Sequence, residues 1–322
     1  MEIKVALLET EKQKIKVFLE DFNLGYDQDI DYSLCCLEGD RIVGTISLAK
    51  NIIKSFAIAK SHQDELASKL ISEAINYLYQ KGINYYQVYT KPQNKEIFEA
   101  LNFREIITTD QVCLLESRNR DISKFLQKIK DDNNLNSDDV GCLVMNCNPF
   151  TLGHRYLIEQ ASHLHDALIV FILEEEQSTF SFEERISLVR AGTNDLENVR
   201  IIPSTNYLIS SLTFPTYFLK QDSIFIEEQA KVDALLFKKY FIPIFNLKRR
   251  YLGTETDLVT AKYNQVLQRE LSDFIKVIPR LQVNGQDISA SKVRHYLAEK
   301  EFTKIKKLVP SATYEFLKAK YE

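Results

Sequence analysis

The sequence has no apolar run long enough to cross a bilayer. The longest, Ala167–Leu173, is seven residues, against about 20 for a spanning helix. The start, Met1-Glu2-Ile3-Lys4, lacks the apolar core of a signal peptide. A cytoplasmic location is therefore expected, with no membrane partner. Cysteine is scarce and odd in number, five in 322 residues, which excludes a disulfide framework. Cys142 and Cys147 lack zinc-knuckle spacing. Cys35 and Cys36 would point to opposite faces of a strand, and His163 and His165 cannot share a helical face. No metal site made from side chains alone is expected. There is no excess of positive charge either. The formal net charge is −4, which gives no footprint for nucleic acid, so no nucleic-acid partner is expected. The basic clusters Lys248-Arg249-Arg250 and Lys304 to Lys307 read as solvated surface. No repeat of solenoid period is present.

What remains is a globular composition, 45 % apolar and 27 % charged, in a chain long enough for two domains. The stretch Lys128 to Asp139, KIKDDNNLNSDD, has linker composition. It separates a domain at 1–127 from one at 140–322. In the first, helical patterns at Glu11 to Phe22, Gln63 to Gln80 and Asn94 to Leu101 alternate with strand patterns. Those strands are Ser33 to Glu38, Arg41 to Leu48, Asn51 to Ala59 and Tyr85 to Tyr89. Gly39-Asp40 joins the first two as a hairpin turn. Leu66, Leu70, Ala74 and Leu78 form the apolar stripe of the long helix. This order predicts an α+β sheet domain.

The second domain alternates differently. Val140 to Asn146, Ala167 to Leu173 and Val199 to Ile202 read as buried strands, with Ser223 to Glu227 and Arg250 to Gly253 as further ones. A helix is expected at Gly153 to His163. Another opens at a capping box formed by Ser181 and Glu184. Continuous apolar strands between helices indicate a parallel sheet covered on both faces. Such sheets bind ligands beyond the carboxyl ends of their strands.

Two segments carry the chemistry. The first, Asn146-Cys147-Asn148-Pro149-Phe150-Thr151-Leu152-Gly153-His154, links the first buried strand to the next helix. A helix start offers backbone N–H groups and partial positive charge to an anion. Gly153 permits close backbone approach. His154 and Thr151 can donate to phosphate oxygens, and such bonds strengthen as charge develops. The second, Ile288-Ser289-Ala290-Ser291-Lys292-Val293-Arg294, follows the turn Gly285-Gln286-Asp287. Ser289 is an N-cap for a helix running to Lys300. Ser291 and Arg294 share its face, and a guanidinium fork suits pyrophosphate. Gly253, ending a strand, is a candidate base or ribose contact. Lys220, closing the core-like stretch Phe214 to Lys220, is a candidate phosphate or carboxylate ligand. Arg185 reads as a structural ion-pair residue.

The first segment resembles the T/HxGH signature of the nucleotidyltransferase superfamily and the second its ISxSxxR signature. The stretches MNCNPFTLGHRYLIEQA (145 to 161), FSFEERISLVRAGTNDLENV (180 to 199), TFPTYFLK (213 to 220) and GQDISASKVRHYL (285 to 297) resemble the citrate lyase ligase family. NKEIFEALNF (94 to 103) resembles the end of the acetyltransferase-like (GNAT) fold. The fold class implied is α/β, a GNAT-like domain followed by a Rossmann-like nucleotidyltransferase domain. The GNAT pyrophosphate arm, Q/R-x-x-G-x-G/A, corresponds here to Gln63 to Ser68, which has no glycine. That domain is therefore expected to be catalytically silent.

The resemblance implies that acetate attacks the α-phosphate of ATP, giving acetyl-adenylate and pyrophosphate. The thiol of a coenzyme-A-like prosthetic group on the lyase's acyl-carrier subunit then takes the acetyl group, and AMP leaves. His154, Thr151 and Arg294 would act at the reacting phosphates. Asn148, Phe150, Gly153, Gly253, Ser289, Ser291 and Lys220 would bind ATP, with Mg2+ held through phosphate oxygens. A tRNA-modifying acetate ligase and a small-molecule adenylyltransferase are the alternatives. The acidic balance disfavours the first. The loop Glu174-Glu175-Glu176-Gln177, without a lysine for a phosphorylated acceptor, disfavours the second. A non-enzymatic regulator is disfavoured by the intact motifs.

Overall fold

A computed structural model describes residues 1–174, 178–208, 222–255, 257–283 and 285–322. The chain forms two compact units, Met1–Ile122 with Phe214–Val232, and Ser123–Thr213 with Asp233–Glu322.

The first unit is built on seven strands: β1 (Glu2–Val5), β2 (Tyr32–Glu38), β3 (Arg41–Ala49), β4 (Ile52–Ile58), β5 (Gln87–Thr90), β6 (Phe103–Thr108) and β7 (Cys113–Ser117). They form one sheet in the order β1-β2-β3-β4-β5-β7-β6. Every pair is antiparallel except β4 and β5. The β2–β3 turn places Gly39 at φ 59°, the left-handed region, which is why glycine sits there. Helices α1 (Glu9–Glu20), α2 (Gln63–Gln80) and α3 (Lys95–Ala100) belong to the same α+β unit. The stripe on α2 is buried as expected, with Leu66, Leu70, Ala74 and Leu78 packed in one core with Val43, Ile46 and Val88. The glycine-free stretch 63–68 is the first part of α2.

The second unit holds β8 (Val140–Met145), β9 (Ala167–Ile172), β10 (Val199–Pro203), β11 (Leu247–Gly253) and β12 (Ile275–Ile278). All run parallel, in the order β10-β9-β8-β11-β12. A small hairpin, β13 (Gln282–Val283) with β14 (Gln286–Asp287), follows. The helices from the unit boundary onward are α4 (Ile122–Asp132), α5 (Leu152–Ser162), α6 (Phe182–Gly192), α7 (Asp222–Leu236), α8 (Ile242–Phe245), α9 (Leu258–Leu271), α10 (Ala290–Ala298), α11 (Phe302–Ile305) and α12 (Ser311–Tyr321). Leu143, Ile158, Val170, Ile172 and Val189 form the main core, between sheet and helices. The chain runs from β8 outward to β10, then returns to β11 on the other side of β8. The order therefore reverses between β8 and β11, which marks the ligand-binding crevice of such sheets.

Three expectations are corrected. Ser223 to Glu227 belongs to helix α7, not a strand. A short apolar run has no decisive period, and the helix-forming EEQAKVDALL that follows carries it into a helix. Arg250 is not solvated surface: it is 3 % exposed and paired with Asp233 at 3.1 Å. An irregularity in the β8–β11 register between Leu247 and Arg249 leaves both Lys248 and Arg249 exposed, and Arg250 after them is buried. The expected linker also begins inside α4, whose buried Ile122 and Leu126 continue a helical period toward Ile129. Among the described residues no helix is long and apolar enough to cross a membrane.

Candidate active site

The loop after β8 is shaped from beneath. Arg185, fully buried on α6, donates to the Asn146 carbonyl and to Asn146 Oδ1, each at 2.7 Å, and to the Phe180 carbonyl at 3.2 Å. Its role is structural, as expected, but these contacts brace carbonyls. Cys147 takes a positive φ of 53°, and the Asn148–Pro149 bond is cis. Asn148 Oδ1 accepts from the Phe180 amide at 3.2 Å. Phe150 is 0 % exposed. A Cβ on Gly192 would lie 2.5 Å from its ring. The Phe150 ring is therefore core, which leaves the backbone of this residue for the expected contact with nucleotide. Its apolar bulk is worth more buried than exposed at a polar site.

Thr151 is the N-cap of α5. Its Oγ1 accepts from the His154 amide at 3.3 Å, while its own amide donates to His154 Nδ1 at 3.1 Å. An amide only donates, so Nδ1 accepts and the neutral ring carries its proton on Nε2. Burial, together with the nearby positive charge of Arg280, lowers the His154 pKa from 6.5 to about 4. At neutral pH this side chain is a neutral Nε2–H donor. The helix end itself offers fewer amides than expected, because Leu152 donates to the Leu308 carbonyl at 2.9 Å.

The second motif meets the first. A Cβ on Gly153 would stand 3.2 Å from the Ile288 carbonyl oxygen and 3.5 Å from Ile288 Cβ. Gly153 thus serves the packing of one motif on the other. Ser289 caps α10, accepting from the Lys292 amide at 3.2 Å. Arg294 donates to Ser291 Oγ at 3.1 Å and to the carbonyl of Asn148. His154, Thr151, Asn148, Ser289, Ser291 and Arg294 are brought together at the carboxyl end of β8.

Gly253 closes β11 at the same edge, paired with Ile278 of β12. A Cβ there would meet Leu157 Cδ2 at an ordinary 3.6 Å, so packing does not demand glycine. Lys220 and the stretch 213–220 lie outside the described residues, as do 175–177 of the acidic loop. Two basic residues at this edge were missed. Lys292 donates from Nζ to the Asp287 carbonyl at 3.0 Å. Arg280, just beyond β12, pairs with Glu255. The signal for Arg280 was its place directly after an apolar strand, in Val277-Ile278-Pro279-Arg280. Among the described residues no group of three His, Cys, Asp or Glu could hold a metal ion. The assembly gathers hydroxyls, a neutral imidazole donor and guanidinium groups, the kinds of group that suit an anion, around one end of a parallel sheet.

The profile of the citrate lyase ligase C-terminal domain matches residues 140–317. The citrate (pro-3S)-lyase ligase of Escherichia coli (strain K12) is 33 % identical over 318 residues, covering 94 % of this chain and 89 % of its own length. That of Haemophilus influenzae is 35 % identical over 328 residues, 96 % of this chain and 97 % of its own. A phosphopantetheine adenylyltransferase of Rhodopirellula baltica is 49 % identical over 55 residues, 16 % of this chain and 31 % of its own. With likeness to the ligases running through nearly the whole of both chains, and both motifs meeting at one sheet edge, the chain belongs to the citrate lyase ligase family.

Proposed function

We propose that this chain activates citrate lyase by acetylating the thiol of the prosthetic group on its acyl-carrier subunit, using acetate and ATP. The observation that carries the first step is the contact of the two motifs, with Gly153 against Ile288 and Arg294 on the Asn148 carbonyl. A carboxylate oxygen of acetate bonds to the α-phosphorus. The bond from that phosphorus to the bridging oxygen breaks, and pyrophosphate leaves with the electron pair. The thiol sulfur then attacks the acetyl carbon, loses its proton, and AMP leaves.

In this reading His154 Nε2–H donates to a phosphate oxygen. As a neutral donor it needs no proton transfer. Arg294, Thr151, Ser289 and Ser291 hold the leaving pyrophosphate and fix the in-line geometry. No protein nucleophile is needed, because the substrate carboxylate attacks. The side chains present are hydroxyls and cations, which suit phosphate. Mg2+ bound with the nucleotide would neutralise phosphate charge. The chemistry is assigned to residues 140–322 and the protein to the cytoplasm. The domain at 1–127 is catalytically silent, and acetyl-coenzyme A titrated into the full chain should show no tight binding there.

The test is acetate-dependent ATP–pyrophosphate exchange. His154→Ala should lower it by about 10²–10³, the usual worth of a transition-state donor. A folded variant that keeps more than about a tenth of wild-type exchange refutes the role.

A further inference from the structure

Arg280 stands where both motifs converge, yet belongs to neither. It lies two residues past β12, at the carboxyl edge of the sheet. Its amide donates to Thr254 Oγ1 at 3.0 Å and its Nε to the Thr254 carbonyl at 2.6 Å. A terminal nitrogen pairs with Glu255. The next residue, Leu281, accepts from the Ile288 amide at 3.3 Å, and Ile288 is the residue that packs on Gly153. Backbone contacts thus fasten Arg280 beside the second motif, and through it beside the first.

The guanidinium is held on one side. Glu255 and the Thr254 carbonyl engage Nε and one terminal nitrogen, while the group has five N–H donors in a rigid fork. The side chain is 22 % exposed. Its charge also reaches His154 and helps keep that ring neutral. A fixed cation and a neutral donor at one sheet edge suit an anion that must be gripped without proton transfer. The reaction itself poses that problem, since a carboxylate must approach an anionic phosphate.

We propose that Arg280, oriented by Glu255, contacts an anionic oxygen of the reacting pair beside His154. Glu255 is a positioning residue. This rests on the functional reading above. The oxygen belongs to the carboxylate nucleophile or to the nucleotide's phosphate, and the two sources separate by experiment.

Full-length Arg280→Gln and Arg280→Lys are compared with wild type. ATP–pyrophosphate exchange gives KM for acetate and for ATP. Calorimetry gives Kd for α,β-methylene-ATP without acetate. Loss of a charged hydrogen bond should raise one of these constants about ten- to a hundredfold. Arg280→Lys should fall between, since it keeps charge without the fork. A rise confined to acetate KM assigns the carboxylate, and a weaker Kd for the analogue assigns the phosphate. A folded Arg280→Gln with all three constants within about twofold of wild type overturns the proposal. If Arg280→Gln does not fold, Arg280→Lys decides by the same constants. Wild type without acetate-dependent exchange would sink the functional reading instead. The analogue Kd then decides alone: about tenfold weaker supports Arg280, and unchanged overturns it.

Discussion

Gly153→Ala separates motif contact from helix stability. Gly153 lies in the first turn of α5, where alanine is the better helix former by about 0.5–1 kcal/mol. No positive φ holds the glycine there, so backbone strain does not oppose the change. What opposes it is one contact. The added Cβ would stand 3.2 Å from the Ile288 carbonyl oxygen, so that neighbour must give by a few tenths of an ångström. Ile288 directly precedes the Ser289 cap, so the shift passes to α10 and to Ser291 and Arg294. The gain in helix propensity and the crowding roughly cancel in stability. They do not cancel in catalysis, where misplacement approaching an ångström costs about 10²-fold. A shift of a few tenths scales to less, so the expected result is a thermal midpoint near wild type, with pyrophosphate exchange reduced about three- to tenfold. Gly253→Ala is the control. Its Cβ meets only an ordinary contact with Leu157, so any loss there reports on ligand rather than on packing. A Gly153→Ala protein with full exchange would refute the idea that this glycine sets the spacing of the two motifs.

His154 supplies a pH prediction. Its pKa in the folded chain is about 4, below the ordinary 6.5, so the unfolded chain binds the proton more readily. The corresponding stability is fully present above pH 6.5 and drains away as pH falls toward about 4. A histidine NMR titration should give that low midpoint, and a midpoint at or above 6.5 would contradict the neutral donor. Asp233→Ala leaves Arg250, 3 % exposed, without its carboxylate partner. Breaking a buried pair from one side costs about 3–5 kcal/mol, read from urea unfolding. A loss under about 1 kcal/mol would mean the guanidinium finds water or another partner.

Local rules read well in this chain. The Gly39 turn, the stripe on α2 and the Ser181–Glu184 capping box depend on residues within one turn of each other, and all three formed as read. The strands β8 and β9 were legible because both their faces are buried, and the edge strand β10, where Arg200 is exposed, by its β-branched residues. Strands β1 and β7 went unread, since sheet pairing supplies what their short sequences do not. Helix α7 was misread because five residues of mixed period do not choose between strand and helix.

By itself the sequence determined the α/β plan, the order of the two motifs and the family. Each is written in side-chain order along the chain. Only the tertiary structure decided that Phe150 is core, that Gly153 spaces two motifs, that His154 presents Nε2, and that Arg280 joins the site. Those facts depend on which distant segments share a sheet edge, and long-range packing sets that.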